Sequence, residues 1–193
     1  MKVPSSLYAN IPAMAHPESG SIGPVGDASA AAGLKPRPVR ESTSEYSEFA
    51  LPTDANMFGY LLGGRAMHLM DLAGAMAAMR HTRHPVVTAS VDHMNFLHPI
   101  HIGQLVILLS SVNRVFRTSM EVGVKVLVED LMTGQRVHTC SAYLTFVAID
   151  AEGNRVAVPP AIPESEEEKR RYEEAGQRRA YRLELKNREG GDR

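Results

Sequence analysis

The 193 residues carry 21 basic and 22 acidic side chains, a formal net charge of −1, with 44% apolar and 22% charged residues. This is the composition of an ordinary globular chain, and its balance gives no overall attraction to nucleic acid or to an anionic membrane. A single cysteine, Cys140, excludes an intrachain disulfide and fits a reducing cytoplasm; no apolar run approaches the ~18 residues of a membrane span, and the opening MKVPSSLYANIPAMAHP is expected to be a poor signal peptide.

Three regions follow in chain order. Residues 1–37 are rich in Gly, Pro, Ser and Ala without a sustained period of 2 or 3.6, which predicts a flexible tail. Residues 38–162 hold the periodic segments of one domain. VRESTSEYSEFAL is a strand candidate, and YLLGGRAMHLMDLAGAMAAMRH is helical, dominated by Ala, Leu and Met with no β-branched residue. From Leu61 to Met79 the helix is apolar on nearly all sides, so it is expected to be wrapped by protein.

The composition then shifts toward strands. PVVTASVDHMNFL and GQLVILLSSVNRVF are rich in Val, Leu and Ser or Thr. In SMEVGVKVLVED, Met120, Val122, Val124, Val126 and Val128 share one face, and Glu121, Lys125 and Glu129 point the other way. LMTGQR is a hairpin with Gly134 as its left-handed residue. VHTCSAYLTFVAID is the return strand, AEGNR turns again, and VAVPP is expected to close the sheet. One helix followed by four or five antiparallel strands is an α+β pattern. Wrapping the sheet around the helix is the economical packing, a hotdog, although other α+β folds fit the pattern. Residues 163–193 are highly charged. Ser165 and Glu168 form a capping box, and Glu166–Arg170, Glu167–Arg171 and Glu174–Arg178 are favourable i,i+4 pairs. A solvated helix is expected there, with Tyr172, Tyr181, Leu183 and Leu185 as the means of an alternative lid or oligomer contact.

Several chemistries are excluded by missing motifs. There is no G-x-S-x-G elbow and no Walker A loop, G-x-G-x-x-G or H-E-x-x-H. The pairs His81/His84 and His98/His101 lack a third ligand at metal spacing, so surface or loop histidines and no metal site are expected. Cys140 reads as a small buried hydrophobe.

The helix itself is the exception. Arg65, His68 and Asp71 are three apart and draw a narrow polar streak on an apolar cylinder. A carboxylate on a mostly buried helix is expensive unless paired or functional. Asp71 is therefore either bonded to backbone or an arginine, or held where burial raises its basicity. Gly63 and Gly64 stand at the helix start. Turn geometry explains one glycine and both at most. Alternatively, the free N–H groups of the first turn hold a carbonyl oxygen as it becomes an oxyanion. Asp71 lies about two turns on, roughly 10 Å along the axis, which is far for one site in one chain.

TDANMFGYLLGGRAMHLMDLAGAMAAMRH, PVVTASVDHMNFLHPIHIGQLV, RTSMEVGVKV and the SAYLTFVAID segment together resemble the hotdog-fold acyl-CoA thioesterases, specifically the brain acyl-CoA hydrolase type and its bacterial relatives. The resemblance covers about residues 40–175. It implies a hotdog fold with a C-terminal helix, hydrolysis of acyl-CoA to free acid and CoA without a cofactor, and active sites between paired subunits in dimers or trimers of dimers. It implies Asn56 and Asp71 as catalytic residues from opposite subunits, with Asp71 as general base or nucleophile. It further implies Gly64, with Gly63, as the oxyanion donor, and Arg117, Thr118 and Ser119 beside the pantetheine arm. Charge alone nominates Arg83 or Arg117 for CoA phosphates. Met67, Met70 and Phe58 are the expected acyl-chain lining.

Two other readings remain. A hotdog hydratase with His five positions after Asp is weakened because Met76 stands there. The alternative from another class is a non-catalytic acyl-CoA-binding or regulatory hotdog, against which the presence of both Asn56 and Asp71 argues. No nucleic-acid recognition element is expected.

Overall fold

The computed structural model describes residues 33–92 and 94–190. The expected flexible tail therefore lies outside the described residues as far as residue 32. Strand β1 is Arg37–Pro38, β2 Ser44–Phe49, helix α1 Gly63–Thr82, β3 Val86–Val91, β4 Asn95–Phe96 and β5 Leu105–Val115. Strands β6 (Ser119–Asp130), β7 (Gln135–Ala148) and β8 (Ala161–Ile162) follow, then helix α2 (Glu166–Gly190). The main sheet runs β2-β5-β6-β7-β3, with β4 pairing to β7 beyond β3, and its pairings are antiparallel.

The alternation in β6 does what the sequence predicts. Met120, Val122, Val124, Val126 and Val128 are buried against α1 together with Val106, Leu108 and Val112 of β5 and Leu144 and Phe146 of β7. Gly134 takes a φ of 70° in the β6–β7 turn. Residues 156–160 do not close the main sheet. Val156 and Val158 each donate one backbone bond of 3.0 Å, to Ala148 and Arg117, but Pro159 and Pro160 have no N–H with which to continue a ladder. The chain instead pairs β8 with β1 in a separate two-stranded parallel sheet.

Helix α1 is buried along a stripe and open along the rest. Ala66, Leu69, Met70, Ala73, Gly74, Ala77, Ala78 and His81 are buried, whereas Met67, Leu72 and Met79 are 46%, 40% and 42% exposed. The helix is thus sheathed by this chain on one side, not all round. Small residues set how closely the sheet approaches: a Cβ on Gly74 would lie 2.9 Å from the Phe146 ring. Gly74→Ala is expected to lower stability by about 1–3 kcal/mol through overpacking, despite alanine's better helix propensity; thermal or urea unfolding reads this directly.

His81 corrects the expectation of surface or loop histidines, being fully buried near the end of α1. Its Nε2 lies 2.8 Å from the Pro159 carbonyl, which fixes that nitrogen as the donor, and Nδ1 has no partner among the described residues. Burial pushes its pKa below the ordinary 6.5, with Arg37 adding to that and the Pro159 carbonyl and Glu41 opposing it. The folded state therefore resists a proton that the unfolded chain accepts. This contribution to stability is complete above the unfolded pKa and lost as pH falls through 6.5 toward the folded pKa. Unfolding free energy is expected to fall between about pH 7 and 5, by up to ~1.4 kcal/mol per pH unit from this group, and a His81→Phe variant is expected to lose that component of the slope.

Helix α2 is not solvated all round. Its capping box forms as predicted, with Glu168 N–H donating to Ser165 Oγ at 3.2 Å and Ser165 N–H to Glu168 Oε2 at 3.0 Å. The helix then docks on the sheet face away from α1, burying Ala175 completely. Arg178 pairs with the buried Glu121 at 2.7 Å, and Arg182 pairs with Asp92. Of the predicted i,i+4 pairs, Glu174–Arg178 forms at 3.8 Å, while Glu166 and Glu167 turn to Lys169 and Arg170 instead.

Candidate active site

The chain enters α1 through a loop built on Asn56. The Asn56 N–H donates to the Tyr60 carbonyl at 2.7 Å, and its own carbonyl accepts from Gly59 at 3.0 Å. Its side-chain Oδ1 accepts from the N–H groups of Phe58 and Tyr60 at 2.9 and 3.1 Å. Gly59, with a φ of 76°, permits the reversal. Because Oδ1 is committed to backbone donors, the carboxamide NH2 is the end with hydrogens to offer.

Gly63 and Gly64 open the helix. The first bond within it runs from Ala66 N to Leu62 O at 3.0 Å, so the N–H groups of Gly63, Gly64 and Arg65 have no intrahelical acceptor. A Cβ on Gly64 would meet nothing within 4 Å. Packing within this chain does not demand glycine there; its effect is to leave the backbone open to close approach. Arg65 pins this first turn to β2 and the loop through Glu48 and, at 3.4 Å, Asp54. The Tyr46 hydroxyl and then Arg65 hold the Glu48 carboxyl below its ordinary range, against the opposing effect of burial. A pocket of about 350 Å³ opens beside the turn, with Asn56, Tyr60, Gly63, Phe96 and Leu97 among its walls. Met67, Met70 and Phe58 do not line it; Met70 belongs to the core.

Two turns along α1, Asp71 is half-buried and accepts a 2.5 Å hydrogen bond from Thr88 Oγ1. Thr88 pairs in register with Phe146, whose ring packs toward α1, so the threonine side chain points to the same face. No sequence reading above singles out Thr88. Its only signal is a hydroxyl residue in the strand after the helix, and the strand register is needed to reveal its partner.

The remaining candidates lie apart. Arg83 caps the far end of α1 with a φ of 62°. In a 20-residue helix that is ~30 Å from Gly63. Arg117 and Thr118 lie in the β5–β6 turn and Ser119 opens β6; Arg117 O and Thr118 O accept from Val158 and Ala148, each at 3.0 Å. Ser119 pairs with Val147 and Val147 with Val87, so this turn sits about 10 Å across the sheet from the start of β3. Within one chain, then, Asn56 and Gly63 share a pocket that Gly64 adjoins. Asp71 and Thr88 form a second cluster, and the arginines stand outside both. Among the described residues no three His, Cys, Asp or Glu side chains gather as a metal-binding group.

Residues 58–135 match the thioesterase superfamily. The uncharacterized acyl-CoA thioester hydrolase YkhA of Bacillus subtilis is 43% identical over 129 residues, 67% of this chain and 75% of its own length. The chain belongs to the thioesterase superfamily. As a superfamily member it is a thioester hydrolase with the hotdog fold. A hexameric acyl-CoA thioesterase solved without ligand superposes with a TM-score of 0.76 at 38% identity, covering 79% of this chain and 97% of that one. An acyl-CoA hydrolase of Staphylococcus aureus, solved with butyryl coenzyme A and coenzyme A, gives 0.72 at 35% identity, covering 78% and 94%. That enzyme has also been solved with alanine in place of one asparagine, one aspartate and one threonine. The three replaced residues are spaced along its chain as Asn56, Asp71 and Thr88 are spaced here.

Proposed function

We propose that this thioesterase hydrolyses acyl-CoA to free acid and CoA at sites that combine Asn56 and the Gly63–Gly64 turn of one subunit with Asp71 and Thr88 of another. The observation that carries the reading is the Asn–Asp–Thr spacing shared with the Staphylococcus aureus hydrolase, joined here to a direct Thr88–Asp71 hydrogen bond. Thr88 holds one carboxylate oxygen and leaves the other to take a proton from water. The water oxygen adds to the thioester carbonyl, and the N–H of Gly64, with that of Gly63, receives the developing oxyanion. The Asn56 NH2 positions water or thioester. Collapse breaks the C–S bond and expels a thiolate whose simple-thiol pKa is near ~8.5, so little acid assistance is needed. Direct attack by Asp71 on the carbonyl is the variant mechanism.

Pairing of two copies is supported by the open side of α1 and by the free edge at β3 and β4, where Val87, Val91 and Phe96 are exposed. Assembly as trimers of dimers, contact of Arg83 or Arg117 to Ser119 with the CoA moiety, and a cytoplasmic location belong to the same reading. The domain division is residues 1–37, 38–162 and 163–193. No described helix is long and apolar enough to cross a membrane.

Mixing Asn56→Ala and Asp71→Asn subunits tests the shared site. Each variant alone is expected to be nearly inactive. Random re-assortment is expected to restore about a quarter of wild-type CoA release, because half of the pairs are mixed and each holds one intact site. No recovery after confirmed subunit exchange places both residues in one chain. If wild type releases CoA from no acyl-CoA of two to eighteen carbons, the non-catalytic binding reading takes over.

A further inference from the structure

The sheet carries a second concavity on the face away from α1. Helix α2 docks there from about Tyr172 onward, but its first turns stand off the sheet and leave a cavity of about 380 Å³. That volume suits a small metabolite. The floor is made by Leu109, Ser111, Asn113, Gly123, Ser141 and Tyr143, and the rim by Lys125 and Arg171. A sheet face covered by a helix is ordinarily apolar, yet between Leu109 and the Tyr143 ring this floor presents Ser111, Asn113, Gly123 and Ser141.

Asn113 is the decisive residue. It is 2% exposed, its Nδ2 donates to Glu121 Oε1 at 3.1 Å, and its Oδ1 has no partner among the described residues. The amide orientation follows from chemistry, since a carbonyl oxygen turned to the Glu121 carboxylate would be repelled. A buried acceptor without a donor is destabilising. Gly123 keeps the space for it: a Cβ there would sit 3.0 Å from Asn113 Nδ2 and 3.2 Å from Oδ1.

The rim has the opposite character. Lys125 and Arg171 have no carboxylate partner among the described residues, and the carboxylate on this rim, Glu167, lies 3.8 Å from Arg170. Two unpaired cations above a buried acceptor call for a ligand with an anionic end and a hydrogen-bond donor. Arginine with lysine favours phosphate at the anionic end.

We propose that this cavity binds a small hydroxylated organic phosphate, with the phosphate on Lys125 and Arg171 and a hydroxyl donating to Asn113 Oδ1. The site is separate from the proposed catalytic residues, which lie on α1 and on its side of the sheet.

Calorimetric titration of the full chain with glycerol 3-phosphate, glucose 6-phosphate and inorganic phosphate tests this. Saturable binding of at least one sugar or glycerol phosphate, tighter than inorganic phosphate, is expected. Lys125→Glu with Arg171→Glu is expected to weaken it at least about tenfold, the loss of charge-assisted bonds, while acyl-CoA turnover without added phosphate persists. Gly123→Ala, which crowds Asn113, is expected to weaken binding without abolishing the charge response. No binding to wild type by any of the three probes overturns the proposal, as does binding that survives the double charge reversal. If the charge reversal instead dissociates the oligomer and leaves phosphate binding intact, the face is an interface between copies and the proposal falls.

Discussion

Asp71→Asn is expected to lower the rate of CoA release by about 10²–10⁴-fold, the range a general base contributes, with melting temperature nearly unchanged. The fold should tolerate the change because Asp71 is only half-buried and the carboxamide oxygen of asparagine still accepts the Thr88 hydroxyl. The NH2 that replaces the second oxygen cannot take a proton from water. The loss should appear in kcat, with KM little altered, since the interaction removed belongs to the transition state. Thr88→Val removes a hydrogen bond to a charged acceptor and is expected to cost about tenfold. The pair of results separates roles: a large loss for Asp71 and a modest one for Thr88 fits a base and the residue that orients it. Near-wild-type activity in the folded Asp71 variant would make the carboxylate structural.

How much of this was legible in the sequence depended on which physical signal each element carries. The β6 alternation from Met120 to Val128 was readable because one sheet face is buried in a single chain, and the Ser165–Glu168 cap because its partners are three residues apart. Four features were not. The open flank of α1 reads as apolar either way, since an exposed apolar face and a core face have the same composition. The placing of Thr88 beside Asp71 rests on register with Phe146, from which it is separated in chain order by β4, β5 and β6. The VAVPP segment has strand composition, but its prolines remove the donors a ladder needs. The docking of α2 was hidden because its anchors are arginines, which alone look like a solvated face. The alternation of β6 places their partner Glu121 on the face away from α1, but cannot show that it is fully buried beneath α2.

That anchor yields the largest stability effect expected. Arg178 holds Glu121 with one bond of 2.7 Å and two of 3.2 Å, and its guanidinium lies 3.6 Å above the Tyr143 ring. Burial disfavours the charged guanidinium, but Glu121, joined by Tyr143 and Glu174, outweighs this and raises the Arg178 pKa above its ordinary value. Arg178→Met keeps much of the packing over Tyr143 and removes the charge. The Glu121 carboxylate would then retain Asn113 at 3.1 Å and Arg182 at 3.6 Å, too little for a fully buried anion. Removing one partner of a buried pair costs about 3–5 kcal/mol. Arg182 should keep the loss near the lower end, a fall in melting temperature of roughly 6–12 °C for a chain of this size. Arg178→Met with Glu121→Gln is expected to be more stable than Arg178→Met alone, because the destabilising element is the unpaired charge and not the missing bond. A single variant that melts within a degree of wild type would mean that α2 is held by Ala175 and the aromatic contacts, with the ion pair contributing nothing. A double variant less stable than the single would show that the carboxylate finds its compensation elsewhere.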